Sequence, residues 1–234
     1  MELTATISLI SAIIELIIAA WIYIKFPKTK FSIFFFILIS FVGTYQLSEY
    51  MVCSNYNPQL WGRLGFISYT FTATVMLYFS SLFAKRKKYN NWILLPAILM
   101  SLYALLTKKF IINAYCIGGL SFLTNKILYN GYNFIPTALY DVYFALYITL
   151  SVIFLYRAEK KTNSIHKKYI YRIISISIFS ALTLSIVISI FFPIAAPMQP
   201  SILNRLGTFF VLSAIASIYL EKQYREINKT KNPE

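Results

Sequence analysis

The stretch "LTATISLISAIIELIIAAWIYI", residues 3–24, carries no basic residue, and the next residue is Lys25. About 20 mostly apolar residues make a helix long enough to cross the hydrocarbon of a bilayer. This run meets that length with a single acid, Glu15, at its middle. No basic residue precedes it and no small-residue cleavage motif interrupts it before Lys25, so it reads as a retained first membrane helix rather than a signal peptide. The rest of the chain repeats the pattern. Hydrophobic residues make up 58% of the 234, charged residues only 13%, and the mean hydropathy is +0.63. A water-soluble domain of this size does not carry that balance, so the expectation is an all-α, multi-pass membrane protein.

Apolar run length, with breaks at charge clusters and prolines, predicts a seven-transmembrane-helix bundle with helices at about 3–25, 31–51, 60–84, 91–107, 134–157, 168–192 and 202–222. These form one transmembrane domain, 1–222, followed by a short cytoplasmic tail, 223–234. The fourth helix is the shortest, with Pro96 near its start, where a missing N–H costs little.

The net charge of +14 first suggests nucleic acid, but its distribution points elsewhere. Alternate connections and the tail hold 17 of the 22 basic residues, and the opposite side keeps only Arg63, Lys108, Lys109, Lys126 and Arg205. Cytoplasmic loops carry the Lys/Arg excess, which places the N-terminus outside and the C-terminus in the cytoplasm of the inner (cytoplasmic) membrane. Orientation and contact with anionic membrane lipid account for the basic loops, so no nucleic-acid partner is expected. Trp21, Trp61 and Trp92 fall near helix ends, where an amphipathic ring anchors at the headgroup level.

The longest outer connection, "KKFIINAYCIGGLSFLTNKILYNGYN" at 108–133, has two apolar runs around Gly-Gly. That pattern predicts a short extracellular β-hairpin, with an irregular or short helical lid as the alternative. Both cysteines lie on this side, Cys53 after the second helix and Cys116 in the connection. Either a disulfide staples the connection to the helix tip in an oxidising compartment, or the two are small apolar fillers.

Of eight acids, Glu15, Glu49 and Asp141 fall inside helices. A charge at the bilayer centre costs ~2.5–3.5 kcal/mol on insertion scales, so each needs a partner or a wet cavity. Glu15 shares a small, polar face with Ser8, Ser11, Ala12 and Ala19, suited to close helix approach. Its two readings are a protonated acid making one interhelical hydrogen bond, and a ligand contact or proton-sensitive switch. Glu49 shares a face with Tyr45 and Gln46. Arg63 follows across a short connection, close enough in sequence to pair with it. Asp141 stands beside Tyr140 and Tyr143, and Arg205 begins the seventh helix. Pooled, Glu15, Tyr45, Gln46, Glu49, Arg63, Tyr140, Asp141 and Arg205 form either a ligand pocket in the outer half or a structural ion-pair layer.

Chemistry beyond binding has little support. His166, the one histidine, sits in a basic loop, and HExxH, CxxC and Gly-rich phosphate motifs are missing. No metal, no cofactor and no enzymatic activity are expected. The seventh helix has no lysine between Ser201 and Leu220, which disfavours a retinal Schiff base.

Three stretches carry a resemblance: "LWGRLGFISYTFTATVMLYFSSLF", "YNGYNFIPTALYDVYFALYITLSVIFLYRAEKK" and "LGTFFVLSAIASIYLEKQYREI". Their order, with an acid ending helix two, Trp and a basic residue opening helix three, and a basic segment opening helix six, resembles the amino-terminal seven-helix sensor region of bacterial histidine kinases and related signalling proteins. The chain continues only fourteen residues beyond Leu220. The resemblance therefore implies a receptor-like sensor without its own output domain, which binds a small or amphiphilic ligand and signals through a separate cytoplasmic or membrane partner. Two other classes stay open: a small transporter or substrate-capture subunit with Glu15 on its path, and a non-enzymatic partner subunit of a membrane complex.

Overall fold

In a computed structural model, residues 3–85, 90–117, 120–125, 134–191 and 208–231 are described. Within them the chain forms helices α1 (Leu3–Lys25), α2 (Lys30–Cys53), α3 (Pro58–Phe83) and α4 (Asn90–Leu106), strands β1 (Ile111–Ile117) and β2 (Leu120–Asn125), then α5 (Phe134–Lys161), α6 (Ile165–Phe191) and α7 (Thr208–Lys231).

Local chemistry sets the helix starts. Thr29 caps α2 with a reciprocal pair: its hydroxyl accepts from Ser32 N–H at 3.1 Å, and Ser32 Oγ accepts from Thr29 N–H at 2.8 Å. Asn57 caps α3 from a left-handed conformation, φ 43°, which asparagine tolerates better than most residues. Its side chain accepts from Leu60 N–H, and Pro58 opens the helix where no N–H is needed. In α4, Pro96 lies in the second turn, near the helix start as expected but past the first turn, so the Trp92 carbonyl loses its intrahelical donor. Beside this break, Tyr147 of α5 donates to the Ile93 carbonyl at 3.0 Å.

Helix α3 is the hub, packed against α2, α4 and α5. From α5 the path runs through α6 and α7 back to α2, closing a ring, while α1 lies on α2 and α4 on α3 as outriders. Outriders show one buried face. On α1, Ser8, Ala12, Glu15, Ala19 and Ile22 are buried at alternating spacings of four and three, while Ile7, Ile10, Ile13, Ile14, Ile17 and Ile24 are exposed. Helix α2, sandwiched between neighbours, buries both flanks. At the end where α2 begins, Phe31, Phe34, Phe79, Phe83 and Tyr171 make an aromatic core with ring centroids 4.5–6.2 Å apart.

Among the described residues, four helical segments, Thr6–Lys25, Lys30–Cys53, Pro58–Phe83 and Leu139–Lys161, are long and apolar enough to cross a membrane. Trp92–Leu106 is apolar but shorter. Helix α7 runs on through most of the expected tail to Lys231, in a sequence rich in Glu, Lys, Gln and Arg, all good helix formers.

The connection at 108–133 contains an antiparallel hairpin with Ile111 opposite Asn125 and Ile117 opposite Leu120, irregular between Ile111 and Asn113. The Gly-Gly turn and residues 126–133 lie outside the described residues. Three ties hold the hairpin down. Cys53 and Cys116 form a disulfide, with Cα atoms 5.5 Å apart. The Gln59 carboxamide bonds both the N–H and the carbonyl of Ile111, as a neighbouring strand would. Phe110, fully buried, meets Phe66 edge-on at 5.1 Å.

Candidate functional site

The eight residues pooled from sequence separate into distinct places. One group does assemble, in the seam between α1 and α2. Gln46 donates from Nε2 to Glu15 Oε1 at 3.0 Å, and Ser8 donates to Glu49 Oε2 at 3.1 Å. All four side chains are at most 2% exposed. Small residues make the approach possible: Ala12 and Ala19 line α1, and a Cβ at Gly43 of α2 would sit 3.0 Å from Leu16 Cγ and 3.3 Å from Glu15 Cβ. Glu15 Oε2 is buried without a hydrogen-bond partner. Ser8 is the member sequence reasoning did not rank as a site residue, although its place on the four-and-three repeat through Ala12 and Glu15 marks it.

Tyr45 belongs to the opposite flank of α2, facing Tyr69 of α3 with ring centroids 5.9 Å apart. Here too the helices are close: a Cβ on Gly65 of α3 would collide with Ser48 Oγ, which already donates to the Tyr45 carbonyl at 2.6 Å.

Arg63 does not pair with Glu49. Its guanidinium donates to the Leu105 carbonyl at 3.0 Å and to the Thr107 carbonyl at 2.8 Å, at the end of α4. The reason is rotational phase. Gly65 faces α2, and two residues turn a helix by about 200°, so Arg63 points to the other side. Gln59, one turn earlier, shares that side and holds β1. The last carbonyls of a helix have no internal donors and carry partial negative charge, so a guanidinium is well matched to them.

Tyr140 is a packing residue of the α3–α5 seam. Its hydroxyl lies 3.0 Å from Thr70 Oγ1, and one turn further Tyr143 lies 2.6 Å from Thr74 Oγ1 and donates to the Thr70 carbonyl at 2.9 Å. Tyr69 stacks on Phe144 at 4.4 Å, nearly parallel. Thr70, Thr74 and Tyr147 were not singled out from sequence; the tyrosines recur at 140, 143 and 147, the spacing of one helical face.

Asp141 is exposed on α5, beside Leu139 and Val142, which are 62% and 61% exposed. It stands about 100° round the helix from Tyr140 and so misses the seam that the tyrosines occupy. Arg205 lies outside the described residues. The hairpin end therefore does not pool its acids and guanidiniums into one layer among the described residues.

At the other end, Thr29 Oγ1 donates to Glu221 Oε2 of α7 at 2.9 Å, and His166 rests against the Tyr224 ring at 4.8 Å. Arg172 of α6 binds Glu159 of α5 through two nitrogens, at 2.6 and 3.1 Å. Among the described residues, no cluster of three or more His, Cys, Asp or Glu is placed to hold a metal. Comparisons of the chain with protein-family models, curated proteins and solved structures give no match.

Proposed function

We propose that this chain is a receptor-like sensor with seven spans in the cytoplasmic membrane, N-terminus outside, which binds a small or amphiphilic ligand at the hairpin end and signals through a separate partner. One observation carries the reading: α2 touches both ends of the molecule. At 24 residues it is about 36 Å long. Its end at Cys53 is joined covalently to the hairpin, its middle holds α1 through Gln46 and Glu15, and the Thr29 cap binds Glu221 of α7. A ligand that moves the hairpin or the Ser8–Glu49 pair acts on a rod whose far end meets the extension of α7. It shifts the protein only if it binds two arrangements of that rod with different affinity. The disulfide favours an oxidising side for the hairpin, in accord with the basic loops facing the cytoplasm.

The test is thermal stability of purified protein against fractions of a membrane extract, read for wild type and for Glu49→Gln. A fraction that raises the wild-type Tm and leaves the variant unmoved supports the reading. If every fraction acts on both alike, no ligand engages this seam and the proposal fails.

A second reading, the partner subunit, is favoured by Asp141. A carboxylate on an exposed apolar face of α5 suits a cationic group of another chain. Co-purification of one stoichiometric membrane protein that Asp141→Asn releases would select it.

A further inference from the structure

The Glu15 carboxyl takes one hydrogen bond, from Gln46 Nε2 to Oε1, and leaves Oε2 buried with no partner. A carboxylate is acceptor-only and needs donors at both oxygens, and here one amide serves one oxygen. A neutral acid fits these neighbours better: Oε1, as the carbonyl oxygen, accepts from Gln46, and Oε2 carries the hydrogen. No ion pair reaches Glu15 among the described residues. Helix α1 packs chiefly against α2, and the titratable group α2 turns toward it is another acid, Glu49, bonded to Ser8. Tyr45 faces α3, and Lys25 lies at the far end of α1. A full charge in such surroundings is expensive, and a buried acid avoids it by holding its proton.

We propose that Glu15 is a proton-binding site, with one exchangeable proton on Oε2, and that its occupancy keeps α1 seated on α2. Release is a simple dissociation: the O–H bond breaks, the electron pair stays on Oε2 and the proton passes to water. The seam then holds an unpaired charge near a second acid, which draws water in and separates the helices. This site does not depend on the sensor reading and holds equally for a subunit or a transporter.

Two measurements on the full-length protein in lipid vesicles test it. Infrared spectra of wild type and Glu15→Gln at about pH 7 compare the carbonyl band of a protonated acid with the bands of a carboxylate. The expected difference is loss of the acid band in the variant; loss of carboxylate bands instead overturns the proposal. The second needs no variant. Dicyclohexylcarbodiimide adds a protonated carboxyl across one C=N bond, the acid oxygen joining the central carbon and the proton a nitrogen, and an acyl shift gives a stable N-acylurea. Peptide mass spectrometry is expected to find Glu15 labelled, with labelling falling about ten-fold per pH unit once the proton is lost and equal in sodium and potassium salts. Protection by sodium alone means a metal-cation site and overturns the proposal, as does a rate of Glu15 labelling that ignores pH.

Discussion

The α1–α2 and α3–α5 seams both bury polar groups between helices, yet they treat them differently. Along α3–α5, Tyr140 and Tyr143 reach Thr70 and Thr74, and every one of these hydroxyls has a partner. The seam also lies at the hub, with neighbours on both sides. Along α1–α2 the groups are carboxyls rather than phenols, one carboxyl oxygen has no partner, and α1 has α2 as its chief neighbour. A saturated network between crowded helices has one good arrangement. A partly satisfied network under an outrider has less to lose by opening, which makes α1 the element suited to move and α3–α5 the frame it moves against.

The largest expected effect breaks the frame. Tyr143→Ala removes a ring packed 4.3 Å from Tyr147 together with its bonds to the Thr74 hydroxyl and the Thr70 carbonyl, and its cost is expected at about 3–5 kcal/mol by reversible denaturation in mixed micelles. A cost below that of the α1 variants inverts the comparison. Next comes the movable seam: Glu15→Ala removes the bond that the Gln46 amide makes to Glu15 and is expected to cost about 1–3 kcal/mol by the same measurement, whereas Glu15→Gln keeps an acceptor and stays close to wild type. Equal losses for the two variants mean that the carboxyl makes no specific bond. The smallest effect lies outside both seams. Arg172→Ala removes an ion pair whose guanidinium is 59% exposed, and the Tm shift is expected to correspond to less than about 1 kcal/mol.

Much of the fold was legible in run length and charge breaks. Six of the seven helices begin within three residues of expectation, because a run of about 20 apolar residues between basic clusters leaves few alternatives, and the start expected for the seventh, at about 202, lies outside the described residues. The Glu15 seam was legible as well, since small residues at helical spacing around a lone acid mark a close contact. What sequence proximity could not supply was rotation. Glu49 and Arg63 are near neighbours along the chain, but the phase of α3 is set by Gly65 against Ser48 and carries Arg63 away from α2. Asp141 shows the same limit: adjacent to Tyr140 in sequence, it lies on a different face of α5. Such phases are decided by the helix partners, which a linear pattern does not name.

The bond from Arg63 to the end of α4 bears on hydrophobic mismatch. At 17 residues α4 is about 25 Å long, short of a hydrocarbon slab of about 30 Å. A short helix usually forces the bilayer to thin so that its terminal carbonyls find water. Here a guanidinium anchored on a longer neighbour brings the donors to Leu105 and Thr107 instead. In the proposed seven-span arrangement the helix can thus stop below the headgroups without distorting the lipid around it, and a residue of α3 serves the length deficit of α4.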